Sequence, residues 1–350
     1  MRPTAIDLFA GVGGLSLGFQ MAGFNIVLAN EQDQSIADAY MRNKPETEML
    51  IGDITKIPMR ETFSPLSGKI TAVIGGPPCQ GFSQKGQRKS INDPRNYLFR
   101  SYFEVVKIVR PEFFVIENVP NLLTTENGVF KDEIIELFSE IGYRVSCGVL
   151  CAADFGVPQD RHRTIIIGTL QPAPISLPEP NGIHTTVWDA ISDLSYLESG
   201  EGLEIQEYRY PPQSPYQEML RTDSDLLYNH IATKHSEVTL KRLQMIPPEG
   251  DKCSLPEDQL TKSIYSGTWC RMKKNGIART ITTRYDTPSS GEFTHPYLDR
   301  AITTREAARI QSFPDTFHFY GTKSSKMKQV GNAVPPLLAK AVAEKLLDAM

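Results

Sequence analysis

One cysteine of this chain, Cys79, has neighbours whose types and spacing favour a role as a nucleophile. Cys79 follows the glycine and proline pairs at 75–78, and these follow an apolar run from Ile70 to Ile74. Such a run is typical of a buried strand in a parallel sheet. Glycine permits unusual backbone angles and proline removes a donor, so the strand must end there and the cysteine must lie on a turn. Because ligands bind at the carboxyl edge of open α/β sheets, we interpret Cys79 as a nucleophile rather than an inert buried thiol.

Two further polar groups are predicted near the same sheet edge. Glu117 ends the apolar run 113–116, and a carboxylic acid beside a thiol nucleophile can protonate an electron-poor ring. A helix cap or a surface acid is the alternative for Glu117. Arg161 and Arg163 precede another apolar run and face one side of a strand, where they would donate to a phosphate or a base carbonyl. A surface salt-bridge pair is the alternative there.

A glycine-rich turn from Phe9 to Gly14 follows the first predicted strand. Glycine lets a nucleotide approach the backbone closely, although Ser16 stands where a full dinucleotide fingerprint has its third glycine. Glu31 comes 20 residues after Gly11, at the end of the second strand, where a carboxylate can accept from a ribose diol. Asp53 follows the third strand and is similarly placed for an adenine amino group. These features favour an adenosine-type cofactor over a purely structural turn.

Strand and helix signals alternate through the first half of the chain, which predicts a parallel sheet with helices on both faces. Strands are predicted at 5–9, 25–29, 51–54, 70–74, 113–116, 145–150 and 164–167, and helices at 15–21, 36–41, 97–109, 130–141 and 336–350. After Leu170 the sequence becomes irregular and rich in Pro, Ser, Gly and Glu. We therefore expect a catalytic and cofactor-binding domain at 1–170 plus 325–350, and a smaller mixed domain at 171–324.

Composition describes an ordinary globular protein, with 350 residues of which 40% are apolar and 22% charged. No apolar run reaches the ~18 residues of a membrane span, and the N-terminus lacks the apolar core of a signal peptide. The five cysteines form no CxxC pair and are odd in number, which argues against zinc and a disulfide framework. We expect a cytoplasmic protein without a metal ion.

The net charge of −4 conceals two basic stretches. Residues 84–96 carry a net charge of +3 and residues 268–286 carry +4. Basic loops on an acidic body suit a polyanionic partner that touches one face, and solvated surface loops are the alternative.

Six motifs in order carry a family resemblance: Asp7-Leu-Phe-Ala-Gly11, Gly76-Pro-Pro-Cys-Gln80, Glu117-Asn-Val119, Gln159-Asp-Arg-His-Arg163, Arg305-Glu-Ala-Ala-Arg309 and Gly331-Asn-Ala-Val-Pro-Pro336. The chain resembles DNA (cytosine-5) methyltransferases of the bacterial restriction–modification type. The motifs extend from Asp7 to Pro336, whereas residues 171–277 share none and fall where the family has its variable target-recognition region.

This resemblance implies a Rossmann-like S-adenosylmethionine-dependent methyltransferase fold with a smaller target-recognition domain. It implies that Cys79 is the nucleophile, Glu117 the acid and Arg163 the base-holding arginine, with Arg161 in support. The implied cofactor pocket contains Phe9, Gly11, Gly13, Gly14, Leu15, Glu31, Asp53, Pro77, Leu98, Asn332 and Val334. The candidate DNA contacts are Gln80, Ser83, Lys85, Arg88, Lys89, Arg95, Arg271, Lys273 and Arg284.

The implied substrate is double-stranded DNA, bound by a monomer whose loop at 84–96 closes over it. A restriction endonuclease acting on the same site would be a functional partner without forming a stable complex. Three alternatives are weighed. A tRNA-methylating branch typically departs from the Gly81-Phe82-Ser83 that follows the cysteine motif here. A non-catalytic regulatory homologue would usually lack the cysteine or the cofactor motif. A nicotinamide dehydrogenase would not explain Cys79 together with Glu117.

Overall fold

A computed structural model of the chain describes residues 2–78, 97–123, 128–260 and 267–350. These residues divide into two units. The first comprises Met1–Cys151, His162–Pro180 and Pro336–Met350, and the second comprises Ala152–Arg161 and Asn181–Pro335. No helix within the described ranges is long and apolar enough to cross a membrane.

The secondary structure follows the alternation that the sequence predicts. The strands are β1 Thr4–Leu8, β2 Asn25–Glu31, β3 Glu48–Ile51, β4 Ala72–Gly75, β5 Phe113–Asn118, β6 Arg144–Cys151, β7 Gln159–Asp160, β8 His162–Thr169, β9 Gly202–Gln206, β10 Leu227–Ile231 and β11 Ala278–Arg279. The helices are α1 Gly14–Ala22, α2 Gln34–Asn43, α3 Met59–Phe63, α4 Tyr97–Val109, α5 Val129–Glu140, α6 Val187–Ile191, α7 Pro215–Arg221, α8 Glu237–Gln244, α9 Thr304–Ile310, α10 Lys323–Asn332 and α11 Pro336–Leu347.

The first unit is built on a seven-stranded sheet with the order β3-β2-β1-β4-β5-β8-β6. Strands β1 to β5 pair in parallel, and β8 runs antiparallel to both of its neighbours. The short connection between β6 and β8 explains the reversal, because parallel neighbours need a crossover of a dozen or more residues. The prediction of a mostly parallel, doubly wound α/β fold is confirmed.

Apolar strands and helices form the core of the first unit. Residues 113–116 of β5 are fully buried, and the Phe114 ring stacks on Phe138 of α5 at 4.0 Å between centroids. Helix α11 packs on α1 at Gly18, where a Cβ would lie 2.3 Å from the Cβ of Ala339. The C-terminal helix therefore completes the same unit as the first strand, and the absence of a side chain at Gly18 permits this close approach.

The second unit contains two small sheets among short helices and irregular segments. Strands β9 and β10 form an antiparallel pair, and β7 pairs in parallel with β11. Four arginines of this unit are fully buried: Arg161, Arg300, Arg305 and Arg309. Arg300 forms a bidentate ion pair with Glu306, with both contacts at 2.7 Å. Buried polar side chains thus hold together a unit that has little regular secondary structure.

The observed division differs from the predicted boundaries at 170 and 325 in three segments. The Arg161 guanidinium donates to the carbonyls of Ile281 and Gly331 at 3.1 and 3.0 Å, which ties residues 152–161 to the second unit. A Cβ at Gly331 would lie 2.4 Å from the Thr282 carbonyl, so α10 also packs within the second unit. Residues 325–335 therefore belong to the second unit, and residues 171–180 to the first.

Candidate active site

Two charged side chains meet at the carboxyl edge of the sheet in the first unit. Glu117 is the last residue but one of β5 and Arg163 is the second residue of β8, and the antiparallel pairing of these strands brings both to one edge. The Arg163 Nε lies 2.7 Å from the Glu117 Oε1, and the side chains are 14% and 13% exposed. A pair that is shielded yet still accessible can offer a proton-holding carboxyl and a guanidinium donor to one bound group.

The turn that follows β4 starts beside Glu117. A Cβ at Gly75 would lie 2.3 Å from the Leu8 carbonyl, and a Cβ at Gly76 would lie 3.1 Å from the Glu117 Oε2. The Asn118 side chain donates to the Pro77 carbonyl at 2.8 Å. The absence of side chains at the glycine pair therefore lets the Leu8 carbonyl and the Glu117 carboxylate approach the backbone closely. The hydrogen bond from Asn118 holds the turn in place. The sequence-based reasoning had assigned no role to Asn118.

Cys79 follows this turn in the chain but lies outside the described residues, as does the whole segment 79–96. The prediction that Cys79 is a nucleophile therefore remains a prediction. The same applies to the candidate DNA contacts in this segment, which are Gln80, Ser83, Lys85, Arg88, Lys89 and Arg95.

The glycine-rich turn after β1 has an unusual backbone. Phe9 has a φ of 59°, and Gly11 and Gly13 have φ values of 56° and 94°. A bulky residue in the left-handed region costs of order 1–3 kcal/mol, and such strain concentrates at ligand sites. Gly14 begins α1, and Leu15 is buried behind the turn. Phe9 packs against the core cluster that contains Leu98.

Glu31 links the glycine turn to the end of β2. Its Oε2 accepts from the Gly11 N–H at 2.9 Å and its Oε1 accepts from the Asp33 N–H at 2.8 Å. Each oxygen keeps a further lone pair, so the carboxylate can still accept hydroxyl groups of a ligand. Burial raises the pKa of Glu31 above its ordinary value, and hydrogen bonds from the N–H groups of Asp33, Gly11 and Gln32 oppose that rise.

Asp53 lies two residues beyond β3, next to the end of β2. Its Oδ1 accepts from the Thr55 hydroxyl and N–H at 2.8 and 3.0 Å, and these hydrogen bonds lower the pKa of Asp53. The carboxylate is therefore ionised and held in place at neutral pH. Glu31 and Asp53 stand on adjacent strand ends because β2 and β3 pair in parallel up to Glu31 and Ile51.

A buried polar cluster below the glycine turn had not been assigned as part of the site. The Ser16 hydroxyl donates to the Asp7 Oδ2 at 2.6 Å and lies 2.8 Å from the Tyr40 hydroxyl. All three side chains are at most 1% exposed. The signal was present in the sequence, because an aspartate inside an apolar strand needs a buried partner.

Three predicted catalytic or cofactor-binding residues belong to the second unit. Arg161 is fully buried, and its guanidinium donates to the two backbone carbonyls that tie residues 152–161 to this unit. These contacts indicate a structural role for Arg161 within the second unit. Asn332 ends α10 and is exposed, whereas Val334 is buried two residues later.

The structure corrects one candidate DNA contact. Arg271 is 3% exposed, and its guanidinium donates to the carbonyls of Ile246, Leu243 and Leu298 and pairs with Asp299. With its donors engaged inside the unit, Arg271 supports the local fold rather than offering a charge to phosphate. Lys273 and Arg284 are exposed, and both remain candidates for DNA contact.

Comparisons with known proteins identify the class to which this fold and site belong. The family model of C-5 cytosine-specific DNA methylases matches residues 4–348. Type II methyltransferase M.DdeI of Desulfomicrobium norvegicum is 38% identical over 97% of this chain and 88% of its own length. Type II methyltransferase M1.HphI of Haemophilus parahaemolyticus is 39% identical over 99% of this chain and 87% of its own length.

A solved structure of a prophage-encoded protein of E. coli, described as a DNA modification methyltransferase, matches with a TM-score of 0.80 at 28% identity over 99% of both chains. The Dnmt2 methyltransferase of S. pombe shares the fold, with a TM-score of 0.62 at 17% identity over 100% of this chain and 99% of its own.

The chain belongs to the C-5 cytosine-specific DNA methylase family. It is therefore a DNA (cytosine-5) methyltransferase that uses S-adenosylmethionine.

Proposed function

We propose that this enzyme methylates carbon 5 of a cytosine flipped out of duplex DNA at a specific short sequence, through a covalent bond between Cys79 and carbon 6. The observation that carries the proposal is the Glu117–Arg163 ion pair, whose Nε and Oε1 atoms are 2.7 Å apart. The Glu117 carboxylate lies beside Gly76, in the turn that Cys79 follows in the sequence. The names of the Type II relatives support a role as the methylase of a restriction–modification system.

The chemistry follows from the weakness of carbon 5 of cytosine as a nucleophile. The Cys79 thiolate adds to carbon 6, and the electron pair of the 5,6 double bond then becomes available at carbon 5. Glu117 holds a proton at ring nitrogen 3, and Arg163 donates to the base carbonyl at carbon 2. Carbon 5 then forms a bond to the methyl carbon that the cofactor would supply, whose bond to the sulfonium sulfur would break to leave S-adenosylhomocysteine. A base takes the carbon 5 proton, and the bond between carbon 6 and the Cys79 sulfur breaks to restore the 5,6 double bond.

The cofactor residues fit an adenosine-type group with a positive charge at sulfur. Glu31 keeps acceptor sites beside the open backbone of Gly11, which suits a ribose diol. Asp53 is an ionised acceptor at the neighbouring strand end and suits the adenine amino group. The bound cofactor would supply an electrophilic methyl group, while these side chains would orient it toward the strand ends at β4 and β5.

The target base must leave the duplex before Cys79 can reach it, and this costs a few kcal/mol. Contacts of exposed cations with phosphates would offset that cost. Lys273 and Arg284 are our candidates in the described part of the second unit, and the basic stretch 84–96 supplies further candidates from the sequence.

The deciding experiment measures methyl transfer from labelled S-adenosylmethionine to mixed-sequence duplex DNA and, separately, to tRNA, with bisulfite mapping of the DNA product. We expect label at one short motif in DNA. Cys79→Ser should abolish transfer while cofactor affinity stays within about twofold of wild type. Label in tRNA alone would overturn the proposed substrate, and near-wild-type turnover of Cys79→Ser would overturn the proposed nucleophile.

Protection from a restriction endonuclease tests the biological role. DNA from cells that express this chain should resist cleavage by an endonuclease that recognises the mapped motif. Full cleavage of that DNA, despite methylation at the motif, would contradict the restriction–modification role and leave the transferase activity intact.

A further inference from the structure

The buried cluster of Asp7, Ser16 and Tyr40 connects three elements at the base of the glycine turn. Asp7 lies on β1, Ser16 on α1 and Tyr40 on α2. The turn at 9–13 joins the first two of these elements, so the cluster braces both ends of the turn from below. None of these three side chains has a role in the chemistry proposed above.

Tyr40 also limits the conformation of the turn directly. A Cβ at Gly13 would lie 2.6 and 2.8 Å from two carbons of the Tyr40 ring. The ring therefore closes the space behind Gly13, whose φ of 94° already excludes most side chains. The Tyr40 ring packs directly against the backbone of Gly13. A smaller side chain at position 40 would leave a cavity next to Gly13.

The hydroxyl of Tyr40 fixes the ring in place. The Ser16 hydroxyl donates to the Asp7 Oδ2 at 2.6 Å and is hydrogen-bonded to the Tyr40 hydroxyl at 2.8 Å. The Lys44 ammonium donates to Gln20 beside this chain of hydrogen bonds, and Lys44 is only 5% exposed. These hydrogen bonds join β1 to α1, the two elements that flank the turn, and join α1 to Tyr40 of α2 and to Lys44 directly after it.

We infer that Tyr40, through Ser16 and Asp7, is a positioning residue that holds the glycine turn in the conformation required by the cofactor. The inference rests on the proposed cofactor role of residues 9–14 and Glu31. Its physical basis is pre-organisation: a turn that is already ordered loses less conformational freedom when the ligand binds. Loosening the cluster should therefore weaken cofactor binding while leaving the reacting groups untouched.

The test measures the Kd of S-adenosylhomocysteine by isothermal titration calorimetry, which requires no turnover, together with KM for S-adenosylmethionine and kcat on DNA. For Tyr40→Phe and for Ser16→Ala we expect a three- to tenfold rise in Kd and KM, with kcat at saturating cofactor within twofold of wild type. Tyr40→Leu also removes the ring that packs against Gly13, and the Kd of this variant for S-adenosylhomocysteine should rise more than tenfold.

Tyr143→Phe is the matched control. Tyr143 belongs to the same unit and is 2% exposed. Its hydroxyl donates to the Pro111 carbonyl at 2.6 Å, near the start of β5 and away from the end that carries Glu117. This variant loses a comparable buried hydrogen bond and should keep the wild-type Kd. If Tyr40→Leu fails to fold, the two milder variants still decide the outcome.

Two results would overturn the inference while leaving the proposed function in place. One is a wild-type Kd in both Tyr40→Phe and Ser16→Ala. The other is an equal rise in Kd for Tyr143→Phe, which would indicate a general loss of stability. A wild-type protein that binds no S-adenosylhomocysteine would instead overturn the cofactor assignment of the turn itself.

Discussion

The two units use the same kinds of charged side chain in opposite ways. At the sheet edge of the first unit, the Glu117 and Arg163 side chains form one ion pair and stay 13–14% exposed. In the second unit, Arg309 pairs with Asp193 and Asp315 at 2.5 and 2.7 Å, and all three side chains are 0% exposed. The first arrangement leaves donors and acceptors open to a ligand, whereas the second engages them inside the protein.

This contrast teaches that motif membership alone does not reveal what a charged residue does. Arg163 and Arg161 stand two residues apart in one motif, yet Arg163 reaches the exposed edge and Arg161 donates to backbone carbonyls in the interior. Burial and hydrogen bonding inside the protein distinguish arginines with a structural role from those that can act on a ligand.

Glu117→Gln should reduce methyl transfer by about 10²–10⁴-fold, because the amide keeps the shape of the side chain but cannot hold the proton at the base. The loss in unfolding free energy should be smaller than for a fully buried pair such as Arg300–Glu306, because the Arg163 side chain keeps 14% exposure. Transfer assays at saturating cofactor and urea unfolding measure the two quantities. A large loss of stability would show that this pair is architectural, like those of the second unit.

Glu306→Gln should have the opposite profile, with a loss of about 3–5 kcal/mol in unfolding free energy, because the fully buried Arg300 loses its anionic partner. Glu292→Gln is the control. Glu292 pairs with Arg279, whose side chain is 62% exposed, and breaking that pair should cost at most about 1 kcal/mol. Equal costs in the two variants would contradict the distinction between the buried and the exposed pair.

The pH dependence of stability should have opposite signs in the two units. Burial alone would raise the pKa of Glu306, but the Arg300 guanidinium lowers it from 4.5 to about 2. A lowered folded pKa contributes stability that is present above pH 4.5 and is lost as the pH falls toward 2. Burial raises the pKa of Asp7 from 3.8 to about 7, against the Ser16 hydrogen bond and the Lys44 charge. A raised folded pKa contributes stability that is present below pH 3.8 and is lost as the pH rises toward 7.

Urea unfolding from pH 2.5 to 8 of wild type, Glu306→Gln and Asp7→Asn separates these two contributions, which amount at full shift to about 3 kcal/mol for Glu306 and about 4 kcal/mol for Asp7. Asp7→Asn should remove the loss between pH 4 and 7, and Glu306→Gln should remove the loss below pH 4.5. The groups that bear on Asp7 are Ser16, Lys44 and Glu31. A stability difference between wild type and Asp7→Asn that does not vary with pH would exclude the raised pKa.

The smallest effects are expected at exposed cations. Arg284→Ala should weaken DNA binding a few-fold at physiological salt and reduce the slope of log K against log salt by about 1, with unchanged stability. Arg271→Ala should lower stability instead, because its carbonyl partners lose their buried donor. Titrations of DNA at several salt concentrations compare the two variants. A reduced salt slope in a folded Arg271→Ala protein would restore that residue as a phosphate contact.

Local sequence patterns located most elements of the first unit, because most of its strands are apolar runs and two of them, β1 and β4, end in glycine-rich turns. The predicted helix at 97–109 coincides with α4, and the predicted strand at 113–116 lies within β5. The third strand was predicted at 51–54 but occupies Glu48–Ile51, since the short run Met49–Ile51 gives a weak periodic signal. The antiparallel direction of β8 was not predicted, because strand direction depends on the connection and on the neighbours rather than on the strand's own residues.

The second unit resisted sequence-based prediction for a physical reason. Its stability depends on ion pairs between residues far apart in the chain, such as Asp193 with Arg309. No local periodicity reports such a contact. The domain boundary was misplaced for the same reason, because Arg161 and Gly331 reach partners about 120 and 50 residues away.

The sequence by itself determined the class of fold, the order of the motifs, the family and the residue types at the sheet edge, because these depend on patterns within short stretches of chain. Only the tertiary structure decided that Arg271 is buried, that Asn118 fixes the turn before Cys79, and that Tyr40 stands behind Gly13. These facts depend on which distant side chains share one small volume, and that is decided by packing among several elements at once.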